Sequence, residues 1–194
     1  MDDHLRQLKN LTDKFHPLPD QDWEIFSSTW KPFEAKRKAV ITAQGEVEKF
    51  LYFVIDGVQR VYYSDDHQHE ATLVFTYAPS FGGVLDSFLS QQPSKYFYET
   101  LTPSVFLRAS SMDVQNTVNK SRTIQQLIQN GTNFAFSGLM ERMTELQCFS
   151  SEEKFRTLLK RSPHILNLVP HKYLANYIGI DPTNFSKLVN QIKI

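Results

Sequence analysis

The chain has 194 residues, 41% hydrophobic and 22% charged, with 21 basic and 21 acidic side chains and no net charge. This excludes a disordered tail and a disulfide-stapled miniprotein, because the length allows a real core and a single cysteine, Cys148, cannot form an intrachain bridge. No apolar run approaches the ~18 residues that span a bilayer, so no membrane partner is expected. The acidic, polar start MDDHLRQLKN has no signal-peptide pattern, and the expected location is a reducing cytoplasm. Charge is unevenly spread: residues 150–194 carry seven Lys/Arg and three acids, a local +4 that leaves −4 elsewhere. A cationic tail on an acidic body suits contact with nucleic acid.

Residues 3–15 read as a helix on Leu5, Leu8, Leu11 and Phe15, broken by Pro17 and Pro19. A second short helix follows, with Asp20 as its cap and a Trp23–Phe26–Trp30 stripe. From Glu34 the texture changes to short strands. Lys38–Thr42 is one, and the continuous apolar run Phe50–Ile55, closed by the turn pair Asp56-Gly57, is the next. Val58–Tyr63 alternates, and Ala71–Tyr77 returns across a polar tip whose His67 and His69 are read as solvated, with a haem-ligand role as the alternative. Pro79, Gly82 and Gly83 mark a loop and Phe88–Ser90 a short helix. Tyr96–Leu101 and Ser104–Ala109 flank a Thr102-Pro103 turn. Closely spaced short strands predict a small antiparallel barrel or sandwich.

After a short helical segment at Met112–Asn119, the longest helix is predicted over Ser121–Cys148. Ile124, Leu127, Ile128, Gly131, Phe134, Gly138 and Leu139, continuing to Arg142/Met143 and Leu146, approximate a heptad seam. Gly131 and Gly138 cost helix propensity but stand one heptad apart, where a second backbone can approach. The expectation is a dimer seam; the alternative is a helix lying on its own barrel. Ser150 and Glu153 have capping-box spacing for the next helix, with Phe155, Leu158 and Leu159 as its apolar face. Ile165, Leu166 and Leu168 form a short link.

Pro170–Ile192 reads as two short helices joined tightly. Leu174, Ala175 and Ile178 face Phe185, Leu188, Val189 and Ile192. Gly179 sits where a left-handed residue ends the first helix. Asp181 and Pro182 signal the start of the second. This is the spacing of a helix-turn-helix, whose second helix presents Thr183, Asn184, Ser186 and Lys187, groups suited to the major groove. The alternative is an ordinary αα-hairpin.

Leu51–Tyr63, Phe81-Gly82, Phe155-Arg156 with Leu158-Leu159 and Pro163, and Pro170–Lys187, in this order, resemble the cyclic-AMP receptor protein/Fnr superfamily of bacterial transcription regulators. The short link before Pro170, in place of a β-wing, is similar to a branch common in Bacteroidetes. The resemblance implies an α+β chain: a jelly-roll, cyclic-nucleotide-binding-like sensor barrel at 1–120, a dimerisation helix at 121–149, and an all-α helix-turn-helix domain at 150–194. It implies a homodimer on a two-fold-symmetric operator of double-stranded DNA, with RNA polymerase as a candidate further partner. Base-edge readers of the family fall on Pro182, Thr183 and Lys187, with Asn184 and Ser186 beside them; Pro182 has no N–H to offer. His171 and Lys172 fall where phosphates are met.

Family members that bind cyclic nucleotide carry Gly-Glu and, about ten residues on, Arg-Ser/Thr. Here the matching ligand positions read Gly82-Gly83 and Lys95-Tyr96. The acid is missing and the fork-shaped cation is replaced by a point charge, while Arg108 does not fit the spacing. A cyclic-nucleotide cofactor is therefore disfavoured. One cysteine is too few for an iron–sulfur sensor, and no metal site is expected. No nucleophile motif, phosphate loop or zinc pair appears, so no enzyme is expected. The alternative function is a non-DNA-binding interaction protein of the same architecture.

Overall fold

The computed structural model describes residues 2–67 and 69–191. Helices α1 (Asp2–Phe15) and α2 (Asp20–Ser27) come first. The cap position of α2 is Pro19, with no side-chain cap bond, and Asp20 is its first residue. Trp30 lies past the helix end; it is buried against Phe26 in an edge-on pair at 5.6 Å. The α2 stripe thus stops at Phe26, because the chain turns into a strand one residue after Trp30.

Among the described residues eight strands follow: β1 (Lys31–Ala35), β2 (Val40–Thr42), β3 (Phe50–Asp56), β4 (Val58–Ser64), β5 (Glu70–Tyr77), β6 (Ser80–Gly82), β7 (Phe97–Thr100) and β8 (Ser104–Ser110), with a short helix α3 (Leu85–Ser90) between β6 and β7. They form two antiparallel four-stranded sheets, ordered β1-β8-β3-β6 and β2-β7-β4-β5. The predicted barrel is corrected to an open pair of sheets. Among the described residues no ladder joins β1 to β2 or β6 to β5, so both sheets keep their edges. Two strands escaped the sequence reading. β1 contains Pro32, which is tolerated because β1 is an edge strand, and β6 lies in the Pro79–Gly83 stretch taken as a loop.

The apolar run of β3 is explained by burial on both faces. Tyr52 and Val54 point between the sheets with Val61, Tyr98 and Phe106. Leu51 and Phe53 point to the outer face, where α1, α2, α4 (Ser111–Lys120) and α5 (Arg122–Cys148) cover them through Leu8, Phe26, Val114, Ile124 and Leu127. Gly57 (φ 90°) takes the chain from β3 in one sheet to β4 in the other; a Cβ there would collide with the Pro103 carbonyl.

A third cluster closes the C-terminal end. It joins α6 (Ser151–Arg161), α7 (Ile165–Leu168), α8 (His171–Tyr177) and α9 (Pro182–Gln191) through Phe155, Ile165, Leu174, Ile178 and Phe185, and it includes Val58 and Leu101 of the sheets. The Ser150/Glu153 capping box forms as predicted. The predicted apolar contact of Ile192 lies outside the described residues.

Candidate functional site

The joint between α8 and α9 is built by backbone chemistry. Gly179 adopts φ 63°. Its N–H donates to the Asn176 carbonyl (3.1 Å) and the Ile180 N–H to the Ala175 carbonyl (3.0 Å), the pair of bonds that closes a helix through a left-handed glycine. Asp181 Oδ1 then accepts from the N–H groups of Thr183 (2.7 Å) and Asn184 (3.3 Å), capping α9. Those bonds hold the Asp181 carboxyl below its usual range. Beneath the turn, Phe155 and Phe185 pack edge to face at 5.3 Å, both fully buried. The two-helix unit therefore has its own caps and its own aromatic centre.

Thr183, Ser186 and Lys187 are exposed on α9, and Asn184 is half-buried. Ser186 Oγ donates to the Pro182 carbonyl of its own helix (3.0 Å). His171 and Lys172 are exposed at the start of α8; His171 lies against Phe185 and the Lys172 ammonium over Tyr173. The structure thus gathers these six side chains on one small unit.

Sequence reasoning missed how this unit is held. Asn176 of α8 pairs with edge strand β5 as a strand would: its Oδ1 accepts the Thr72 N–H (2.5 Å) and its Nδ2 donates to the Glu70 carbonyl (2.6 Å). Arg60 of β4 lies between the rings of Tyr62 (3.9 Å) and Tyr173 of α8 (4.1 Å) while bonding Glu70 and Glu99. Phe75 and Tyr177 pack at 5.0 Å, and Tyr77 bonds Ser162. From the long helix, Arg142 donates to the Tyr177 carbonyl and pairs with Glu145, which also binds Arg161. Arg142 is therefore not a seam residue: it is buried and spent on the end of α8. Asn176→Ala should expose the β5 edge and cost about 1–2 kcal/mol. Faster amide exchange at Thr72, with the α9 amides unchanged, is the expected reading; unchanged exchange at Thr72 would contradict the pairing.

The predicted ligand positions are closed from inside. A Cβ on Gly82 would overlap the Tyr98 hydroxyl. That hydroxyl is fully buried and joins Thr76 (3.1 Å) and Gln59. Burial pushes the Tyr98 phenol up. Gly83 (φ 110°) is followed by Val84, whose N–H donates to Glu48 Oε2 (3.2 Å). The Thr42 hydroxyl (2.7 Å) and the Phe50 N–H (3.2 Å) also donate to Glu48. Burial pushes the Glu48 carboxyl up, and these donors offset part of that. The Val84 N–H that opens the α3 region thus faces Glu48 of the chain itself. Lys95 is exposed; Tyr96 packs against the inter-sheet core. Nothing in the linear sequence marked Glu48, which lies 36 residues before Val84. Gly82→Ala should displace Tyr98 and cost about 1–3 kcal/mol as an overpacked core, read from the melting curve; an unchanged melt would speak against the contact.

The predicted seam divides in two. Ile124 and Leu127 are buried against α1, α2 and α4, and Ile128 packs on the same cluster, so these positions face their own chain. The reason is that α5 begins inside the core of the first sheet. Phe134 meets Phe15 in a tilted ring pair (5.3 Å) yet stays 68% exposed. Beyond it, Phe136, Leu139, Met140, Met143 and Leu146 make an exposed apolar stripe; Phe136 and Met140 were not in the predicted seam. A Cβ on Gly131 or Gly138 would meet nothing within 4 Å.

No family model matches the chain, and no curated protein matches it. Solved structures do. FixK2 from Bradyrhizobium japonicum aligns with TM-score 0.76 at 14% identity, over 84% of this chain and 83% of that one. A transcriptional regulator of the Crp/Fnr family from Eubacterium rectale aligns with TM-score 0.69 at 14% identity, over 89% and 82%. The catabolite activator protein of Thermus thermophilus aligns with TM-score 0.57 at 20% identity, over 91% and 84%. At these identities the likeness shows a shared fold.

Proposed function

We propose that this chain is a dimeric, DNA-binding transcription regulator of Crp/Fnr type, without enzymatic activity, acting in the cytoplasm. Residues 1–120 form the sensor, 121–149 the dimerisation helix and 150–194 the DNA-binding unit. The single observation that carries this reading is the capped α8–α9 unit, with Thr183 and Lys187 exposed, set at the end of a 27-residue helix with an uncovered apolar stripe. α7 in place of a strand pair before α8 supports the Bacteroidetes-like branch. Two copies joined along α5 would present two α9 helices to a two-fold operator, where each half-site is one helical turn from the other. RNA polymerase would be met by a regulator already on its operator.

Glu48 already accepts the Val84 N–H, and Gly83 supplies no acid for a ribose. The proposal therefore includes no tight binding of cyclic AMP or cyclic GMP. Thermal melts with either nucleotide at 100 µM should stay within about 1 °C of the free protein; several degrees of stabilisation would refute this part.

The test of DNA binding is a gel shift with genomic fragments at stated salt. Lys187→Ala should weaken binding about tenfold, the worth of one lost base or phosphate contact. Retention of no fragment by either protein would reject the regulator reading. A second reading, docking of another protein by the same unit, draws on Pro182 at a base-edge position and on Ser186 Oγ turned back to its own helix.

A further inference from the structure

At the end of the sheets away from α8 and α9, a cavity of about 720 Å³ opens among β1, β2 and the starts of β3 and α3's supporting loop at 46–49, with Arg108 of β8 in its wall. The register places Arg108 opposite Tyr52 and two residues from Phe106, on the inner face of the first sheet. Its guanidinium lies between the rings of Phe33 (4.1 Å) and Phe50 (4.3 Å). Two aromatic rings thus lie against the cation, and the N–H groups that do not face the Tyr52 hydroxyl remain for a partner. The buried arginines, Arg60 and Arg142, each pair with glutamates; among the described residues Arg108 pairs with none. Of the three acids that border the cavity, Glu34 is exposed, Glu46 accepts the Ala43 N–H (3.0 Å), and Glu48 accepts Thr42, Phe50 and Val84.

We infer that this cavity is a binding site for an organic carboxylate with an apolar body, held by a two-bond pairing to the edge of Arg108. A carboxylate matches the planar guanidinium, while Phe33, Phe50 and Tyr52 offer an apolar wall to the remainder of the ligand. The volume suits a small molecule. The site is separate from the Gly82–Tyr96 cassette, none of whose residues line it. Glu48 borders the cavity and also bonds Val84 at the head of α3, so an occupant here touches the residue that closes the cassette.

The inference does not depend on DNA binding, because its test uses none. Benzoate, phenylacetate and hexanoate serve as probes, with inorganic phosphate and cyclic AMP as controls, in thermal melts and titration calorimetry of the full chain. At about ten times its Kd a bound probe should raise the melting temperature by about 3–6 °C. Arg108→Gln should abolish the shift, and Arg108→Lys, which keeps the charge but not the fork, should weaken binding about tenfold or more. If Arg108→Gln does not fold by circular dichroism, Arg108→Lys and Phe33→Ala decide: both should weaken the probe. No stabilisation of the wild type by any of the three carboxylates overturns the inference. So does equal stabilisation of wild type and folded Arg108 variants, or a shift with phosphate that matches the carboxylates.

Discussion

Phe155→Ala is expected to destabilise the C-terminal unit by about 3–5 kcal/mol and, on the proposed function, to abolish DNA retention while leaving the two sheets folded. Phe155 is fully buried and meets Phe185 edge to face at 5.3 Å, at the point where α6 crosses α9. Truncation removes the transfer free energy of a whole ring and leaves a cavity. It also removes the aromatic pair, itself worth about 0.5–1.5 kcal/mol. The unit is small, and its other large side chains, Leu174, Ile178 and Leu188, converge on the same ring pair. Denaturant unfolding followed at the tyrosines gives the measurement. A loss below about 1.5 kcal/mol would mean that the site collapses freely and that Phe155 is not central.

The second large effect lies at Arg60. Arg60→Met should cost about 2–4 kcal/mol. The side chain is 4% exposed and bonds Glu70 and Glu99, whose own exposures are 36% and 14%. Removing it leaves two carboxylates facing each other. Glu70 is partly wet, so solvent relieves part of its charge, and the cost falls below that of a fully buried broken pair. The substitution also removes the guanidinium between Tyr62 and Tyr173, one of the contacts that fix α8 to the sheet. Glu99→Gln in the same chain should restore at least about 1 kcal/mol, because the pair is coupled. If the double variant is as unstable as the two losses added, the charge argument fails and packing alone accounts for Arg60.

Local features were legible. The caps at Asp181 and Ser150, the left-handed Gly179 and the aliphatic faces of α8 and α9 depend on residues within five positions, and a linear reading recovers them. The two-faced burial of β3 was visible as an unbroken apolar run. What remained hidden depends on distance along the chain. Asn176 reaches Thr72 across 104 residues, and Glu48 reaches Val84 across 36. An asparagine at the end of a short helix looks like a helix-end residue until a strand edge is beside it. The division of the α5 face was also hidden: Ile124 and Leu127 are as apolar as Leu139 and Met143, and only the placement of α1, α2 and α4 decides which of them the chain itself covers.

The way α5 is anchored makes it a lever. Leu127 is fixed in the core of the first sheet, and Arg142 grips the Tyr177 carbonyl at the end of α8. Fifteen residues of helix between them give an arm of ~22 Å. A tilt of ~5° about Leu127 would carry the guanidinium ~2 Å, more than a hydrogen bond tolerates. A tilt of that size at the base of the arm would therefore break the bond between Arg142 and the end of α8.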